Sequence, residues 1–137
     1  PMPACQLLIY PATRTANFAT QSRQALASGV TLDKRLIDFF NDMYFGGVDL
    51  DLKDPRLCPA LAQKLSGAPT AHIITAEYDP LRDEGEEYSQ LLSAAGVQAS
   101  YRCYDGLMHN FILQTAVVAL ANQAVGDCAS FLKQQLA

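Results

Sequence analysis

The chain has 137 residues, 50% hydrophobic and 18% charged, with a formal net charge of −4. A single domain of this size can bury roughly two-thirds of its unfolded surface. Mild acidity without a basic patch or stripe argues against nucleic acid as a partner, and no apolar run reaches the roughly 18 residues of a membrane span.

In chain order, Gln6 to Tyr10 is a short, mostly apolar run stopped by Pro11, which predicts a buried parallel strand. Pro11 to Val30 has no clear period and reads as loop. Thr31 is a candidate helix cap with Asp33 in the first turn, and Leu32, Leu36, Phe39, Phe40 and Met43 then recur at helical spacing. Gly46 and Gly47 would end that helix. Asp49 to Pro59 reads as an irregular connection, and Ala60 to Leu65 as a short helix closed by Gly67 and Pro69.

His72 to Glu77 is the second predicted strand. Arg82 to Ala95 is a predicted helix with Tyr88, Leu91, Leu92 and Ala95 on one face and Gly96 as its stop. Val97 to Tyr104 alternates apolar and polar residues and predicts a third strand. A last helix is predicted from about Gln114 to Leu136. This order, with right-handed crossovers, predicts an α/β fold of about three parallel strands with flanking helices. The connection from Pro11 to Pro69 far exceeds the dozen or so residues that a crossover needs. Residues 12–66 are therefore expected to be a long excursion containing cap or lid helices. The aromatic and Met content of that excursion suits either an apolar pocket wall or ordinary helix-face core.

The cysteines at 5, 58, 103 and 128 match neither a zinc-ligand pattern nor a dense disulfide framework. They predict buried thiols in a reducing compartment, hence a cytoplasmic protein. No cofactor or metal is expected.

The chemistry concentrates in two runs, Glu77-Tyr78-Asp79-Pro80-Leu81-Arg82-Asp83-Glu84-Gly85 and Gly106-Leu107-Met108-His109-Asn110-Phe111. Asp79 stands at the end of one predicted strand and His109 just past the end of the next. Strand ends on one edge of a parallel sheet are where α/β folds place their chemistry. The order of acid and then His is the back part of Ser…Asp…His, but no Gly-x-Ser-x-Gly occurs in the chain.

With the stretches Leu8-Ile9-Tyr10-Pro11, Asp54 to Pro59 and Ala94-Ala95-Gly96-Val97, these runs resemble the C-terminal half of the hormone-sensitive-lipase-like esterases, a branch of the α/β-hydrolases. The resemblance spans nearly the whole chain, and the run from Asp79 to Gly85 is its most diagnostic part. It implies a partial α/β-hydrolase domain over residues 1–137 and a small acyl-ester substrate. It implies Asp79 as the acid and His109 as the general base of a Ser-His-Asp triad. The nucleophile and oxyanion hole would lie outside this chain. Two positions depart from the family pattern: Asn110 stands where Gly is usual and Cys58 where Ser is frequent. Asn tolerates left-handed backbone better than most residues, so the turn after His109 can survive.

Each assignment has a plainer competitor. An Asp before Pro is commonly a turn or a helix cap. Asp83 and Glu84 are local rivals for the acid, explained more simply as charge at a helix start. His72 begins a strand and reads as structural; Asp105 reads as a loop acid. Gly126-Asp127-Cys128-Ala129-Ser130 imitates a nucleophile elbow with Cys for Ser, but its surroundings are helical and the glycine after Ala is missing. Two function classes follow. One is a carboxylic-ester hydrolase portion that pairs with the N-terminal half of the same enzyme. The other is a non-catalytic α/β fragment that associates with itself through an exposed sheet edge.

Overall fold

Among the described residues three parallel strands form one sheet in sequence order: β1 (Cys5–Ile9), β2 (Thr70–Tyr78) and β3 (Ala99–Met108). The structure is a computed structural model that describes residues 2–14, 19–46, 51 and 53–137. Among the described residues four α-helices accompany the sheet: α1 (Gln21–Ala25), α2 (Lys34–Phe45), α3 (Arg82–Ala94) and α4 (Ala119–Leu136). β1 pairs only with β2 among the described residues, from Cys5 opposite Thr70 to Ile9 opposite Ile74. The central strand β2 is covered on both faces, and Ile73 to Ala76 in its middle are fully buried.

The alternation of β2 divides the core. Ile74 and Ala76 pack with Tyr104, Leu107 and Phe111 beneath Ala121, Ala124 and Cys128 of α4. Ala71 and Ile73 pack on the other face against Tyr88 and Leu92 of α3, with Val97 and Ala60. Each fully buried large apolar side chain contributes roughly 1.5–3 kcal/mol, so the two layers hold both helices to the sheet. Among the described residues no helix is long and apolar enough to cross a membrane.

The fold departs from the sequence reading at several boundaries. Part of the stretch read as loop is α1, capped by the Thr20 hydroxyl on Arg23 N. It is too short to show a period. Asp33 caps α2, not Thr31, by accepting from Leu36 N at 2.8 Å. Gly46 follows α2, while Gly47, Asp49 and the middle of the 11–30 stretch lie outside the described residues. The helix expected at Ala60–Leu65 is only a 3-10 turn, Pro59–Leu61, because Ala62 is already extended. β3 continues to Met108, past the expected end at Tyr104. The last helix starts at Ala119: Val118 is extended, and a 3-10 turn at Phe111–Gln114 precedes it. Val117, expected on its apolar face, is 84% exposed.

None of the residues of α2 is buried. Phe39, Phe40, Met43 and Tyr44 are exposed, so the helix-face-core reading of these side chains does not hold within this chain.

Candidate active site

β2 and β3 run side by side to a last pair, Tyr78 opposite Met108. Asp79 and His109 are the next residue on each strand. This alignment depends on a bulge. Between the pairs Ala76–Tyr104 and Tyr78–Met108, β3 carries two residues more than β2. In regular register Tyr78 would face Gly106, and His109 would overshoot Asp79. Gly106 sits in the bulge at φ +75°. Its N–H donates to Glu77 Oε2 at 2.7 Å, which fixes the bulge to β2.

Asp79 is fully buried. Its Oδ1 accepts from Leu81 N at 2.8 Å, and its carbonyl accepts from Arg82 N at 3.0 Å. Asp79 therefore builds its own turn into α3, as short acidic residues do, while Pro80 takes the chain out of the ladder. Its second oxygen, Oδ2, lies 2.7 Å from His109 Nδ1. The His109 side chain is 13% exposed. Among the described residues its Nε2 has no hydrogen-bond partner. Asn110 adopts the left-handed conformation at φ 67°, ψ 17°, and so turns the chain to bury Phe111. The Tyr10 ring stands against the imidazole, with centroids 4.5 Å apart. An imidazole whose Nδ1–H faces a buried carboxylate presents a basic Nε2, which can take a proton and return it.

A family model for the alpha/beta hydrolase fold matches residues 1–113. The chain belongs to the α/β-hydrolase fold family. It is 44% identical over 114 residues to carboxylic ester hydrolase LipN of Mycobacterium tuberculosis, covering 82% of this chain and 30% of that protein. It is 38% identical over 134 residues to carboxylesterase NlhH of the same species, covering 96% of this chain and 41% of that protein. A solved structure of the Pyrobaculum calidifontis esterase superposes with a TM-score of 0.89 at 37% identity, over 98% of this chain and 44% of that one. These esterases agree with the resemblance carried by the motifs. The chain thus spans between 30% and 44% of the length of these relatives.

In this α/β-hydrolase chain the acidic run after Asp79 is a set of tertiary anchors. Asp83 Oδ2 accepts from Ser22 N at 2.6 Å, and Ser22 Oγ donates to the Pro80 carbonyl at 2.7 Å. Glu84 Oε1 accepts from Thr13 N at 3.3 Å, and its Oε2 accepts from Arg23 at 3.1 Å. Thr13 Oγ1 donates to the Glu84 carbonyl at 2.9 Å, and Arg14 pairs with Glu87. Together these bonds fasten the segment after β1 to the turn that carries Asp79. Burial pushes the Glu84 carboxyl up to about 7, against the pull of Arg23 and of the Thr13 N–H; the charge of Asp79 adds to the rise.

The rivals are occupied elsewhere in the α/β-hydrolase chain. Asp83 engages Ser22 and Arg82, not His109. Charge at a helix start therefore describes Asp83 and Glu84 incompletely. His72 meets Ser100 through Nδ1 at 2.8 Å and packs against Phe131; burial lowers its pKa. Asp105 is exposed on the bulge. Cys128 is core of α4, where burial raises its thiol pKa, and Asp127 accepts from Tyr104 and Arg102. The elbow look-alike is therefore a helix face.

Two residues of the site escaped the sequence reading, Glu77 and Tyr10. A glycine inside a strand-like run is a recognised sign of a bulge, and Gly106 was the available signal for Glu77. Nothing local marks Tyr10. A separate cleft of about 500 Å³ lies beside α2, lined by Arg14, Phe40, Met43, Tyr44 and Leu57 among others. Asp79 and His109 do not line it.

Proposed function

We propose that this chain is the portion of a serine carboxylic-ester hydrolase that supplies the acid, Asp79, and the general base, His109, of a Ser-His-Asp triad. The contact of 2.7 Å between Asp79 Oδ2 and His109 Nδ1, at the ends of adjacent parallel strands, is the observation that carries this reading. In this role His109 Nε2 takes the proton of a serine hydroxyl and hands it to the leaving alcohol. Asp79 fixes the tautomer and stabilises the imidazolium. The sequence holds no Gly-x-Ser-x-Gly, so the nucleophile and oxyanion donors belong to an N-terminal portion of the same enzyme. β1 supports that pairing, since its outer flank carries no strand among the described residues. Residues 12–66 act as part of a cap over the site; the exposed apolar side chains of α2 support this. The substrate class is a small acyl ester. No disulfide joins the four cysteines among the described residues, which supports a cytoplasmic setting.

A chimera in which this chain replaces the matching segment of LipN tests the proposal with a short-chain aryl ester. Hydrolysis is expected, with His109→Ala lowering turnover by roughly ten-thousand-fold or more. A folded, active chimera that is indifferent to His109→Ala would remove His109 from the mechanism.

A further inference from the structure

Tyr10, the residue that follows β1, has a φ of +39°, rare for any residue but glycine. Such strain persists only where the surroundings over-determine it, and it clusters at functional sites. The surroundings here are explicit. Tyr10 N donates to the Ile74 carbonyl at 2.7 Å, extending the β1–β2 ladder by one residue. Downstream, Thr13 is fixed to Glu84 by two hydrogen bonds, of 3.3 and 2.9 Å. The segment between is held at both ends. The strained backbone aims the ring at two targets. Its centroid lies 4.5 Å from that of His109, with the planes tilted by 56°. It also lies 5.4 Å from Phe111 in an edge arrangement, and Phe111 is itself core.

We propose that Tyr10 is a positioning residue for His109, a wall that sets the imidazole plane and shields the Nδ1–H···Oδ2 contact with Asp79 from water. The proposal rests on the reading of His109 as the base. Without a wall, the imidazole can rotate about its side-chain torsions and lose Asp79, and Nε2 then points away from its proton donor. Shielding strengthens the pair further, since a hydrogen bond gains strength where water is excluded. Burial and the negative charge of Asp79 both push the phenol pKa up, so the ring stays neutral wherever an imidazole base operates. The side chain is needed for its ring and not for its hydroxyl.

That distinction gives the test, which reads the imidazole directly and needs no turnover. The full chain contains two histidines, so His72, held by Ser100 on another part of the sheet, serves as the internal reference. In nuclear magnetic resonance spectra, the parent chain and Tyr10→Phe should both show a low-field Nδ1 proton of His109 that resists exchange with water. Tyr10→Gly and Tyr10→Asn tolerate the backbone conformation but remove the ring. In these, the His109 proton should exchange roughly tenfold faster or vanish, while the His72 signals and the β2 amides stay in place. Equal persistence in the Gly and Asn variants would overturn the proposal, as would loss of the signal in Tyr10→Phe or its absence from the parent. An active LipN chimera indifferent to His109→Ala would instead overturn the base assignment, and it leaves these spectra unchanged.

Discussion

Glu77 on β2 accepts from Gly106 N on β3 at 2.7 Å, so this hydrogen bond ties the strand that leads into Asp79 to the strand that leads into His109. The bond closes the bulge that realigns the two strand ends.

Breaking that bond should loosen the site more than the fold. Glu77→Ala removes a solvent-accessible charge-assisted hydrogen bond, with an expected stability cost of about 1 kcal/mol. The amide of Gly106 should lose its exchange protection, while Ile73 and Ile74 in the middle of β2 keep theirs. Gly106→Ala should cost about 1 kcal/mol or more, since φ of +75° disfavours a side chain. Urea unfolding and amide exchange measure both; unchanged protection at Gly106 in Glu77→Ala would show that the bulge holds itself.

Gly85 lets α3 approach the sheet. A Cβ there would stand 2.7 Å from Thr75 Cγ2, inside any normal contact. Thr75 cannot simply turn aside, because its hydroxyl meets Tyr101 OH at 2.8 Å. Gly85→Ala should therefore destabilise by about 1–3 kcal/mol, as overpacked cores do. Thr75→Ser deletes the offending methyl and keeps the hydroxyl. The double variant should recover part of the loss; a purely additive double-mutant cycle would refute the clash.

Glu84 should make the fold less stable as pH rises through the window from 4.5 to about 7. Below that window the carboxyl is protonated in the folded and unfolded chain alike. Within it, the folded chain keeps a proton that the unfolded chain has released, so each step upward in pH favours unfolding. Above it the loss is complete, on the order of 3 kcal/mol. Burial raises this value, Arg23 from α1 and the Thr13 N–H after β1 pull it down, and the charge of Asp79 at the turn adds to the rise. Glu84→Gln should flatten the dependence of the urea midpoint on pH between 5 and 7.5. An identical slope in parent and variant would mean that other groups carry it.

The chain by itself should show no serine-esterase turnover. Loss of one oxyanion donor alone costs about 3–4 kcal/mol of transition-state stabilisation, and the proposed division of labour leaves this chain with neither donors nor nucleophile. Turnover of a short-chain aryl ester that a serine-directed phosphonate abolishes, in a sample free of other polypeptides, would contradict this. Light scattering on the same sample should show association through β1; a monodisperse 14.9 kDa monomer, stable at high concentration, would count against a sticky sheet edge.

The sequence by itself determined which segments alternate at the periods of strand and helix, because burial on one face or two leaves a local pattern. It determined the α/β order, and it singled out Asp79 and His109 through the residue types around them. It missed one-turn elements such as α1, whose existence rests on Ser22 meeting Asp83 and Pro80 far along the chain. It read Asp83 and Glu84 as charge at a helix start, since an acidic side chain carries no mark of a distant partner. Only the tertiary structure decided the register at the end of β3, where two extra residues realign His109 with Asp79. Only the tertiary structure, too, decided the left-handed turn at Tyr10, whose ring meets the imidazole. Both depend on hydrogen bonds and packing between residues remote in sequence, and such contacts impose no period on the chain that makes them.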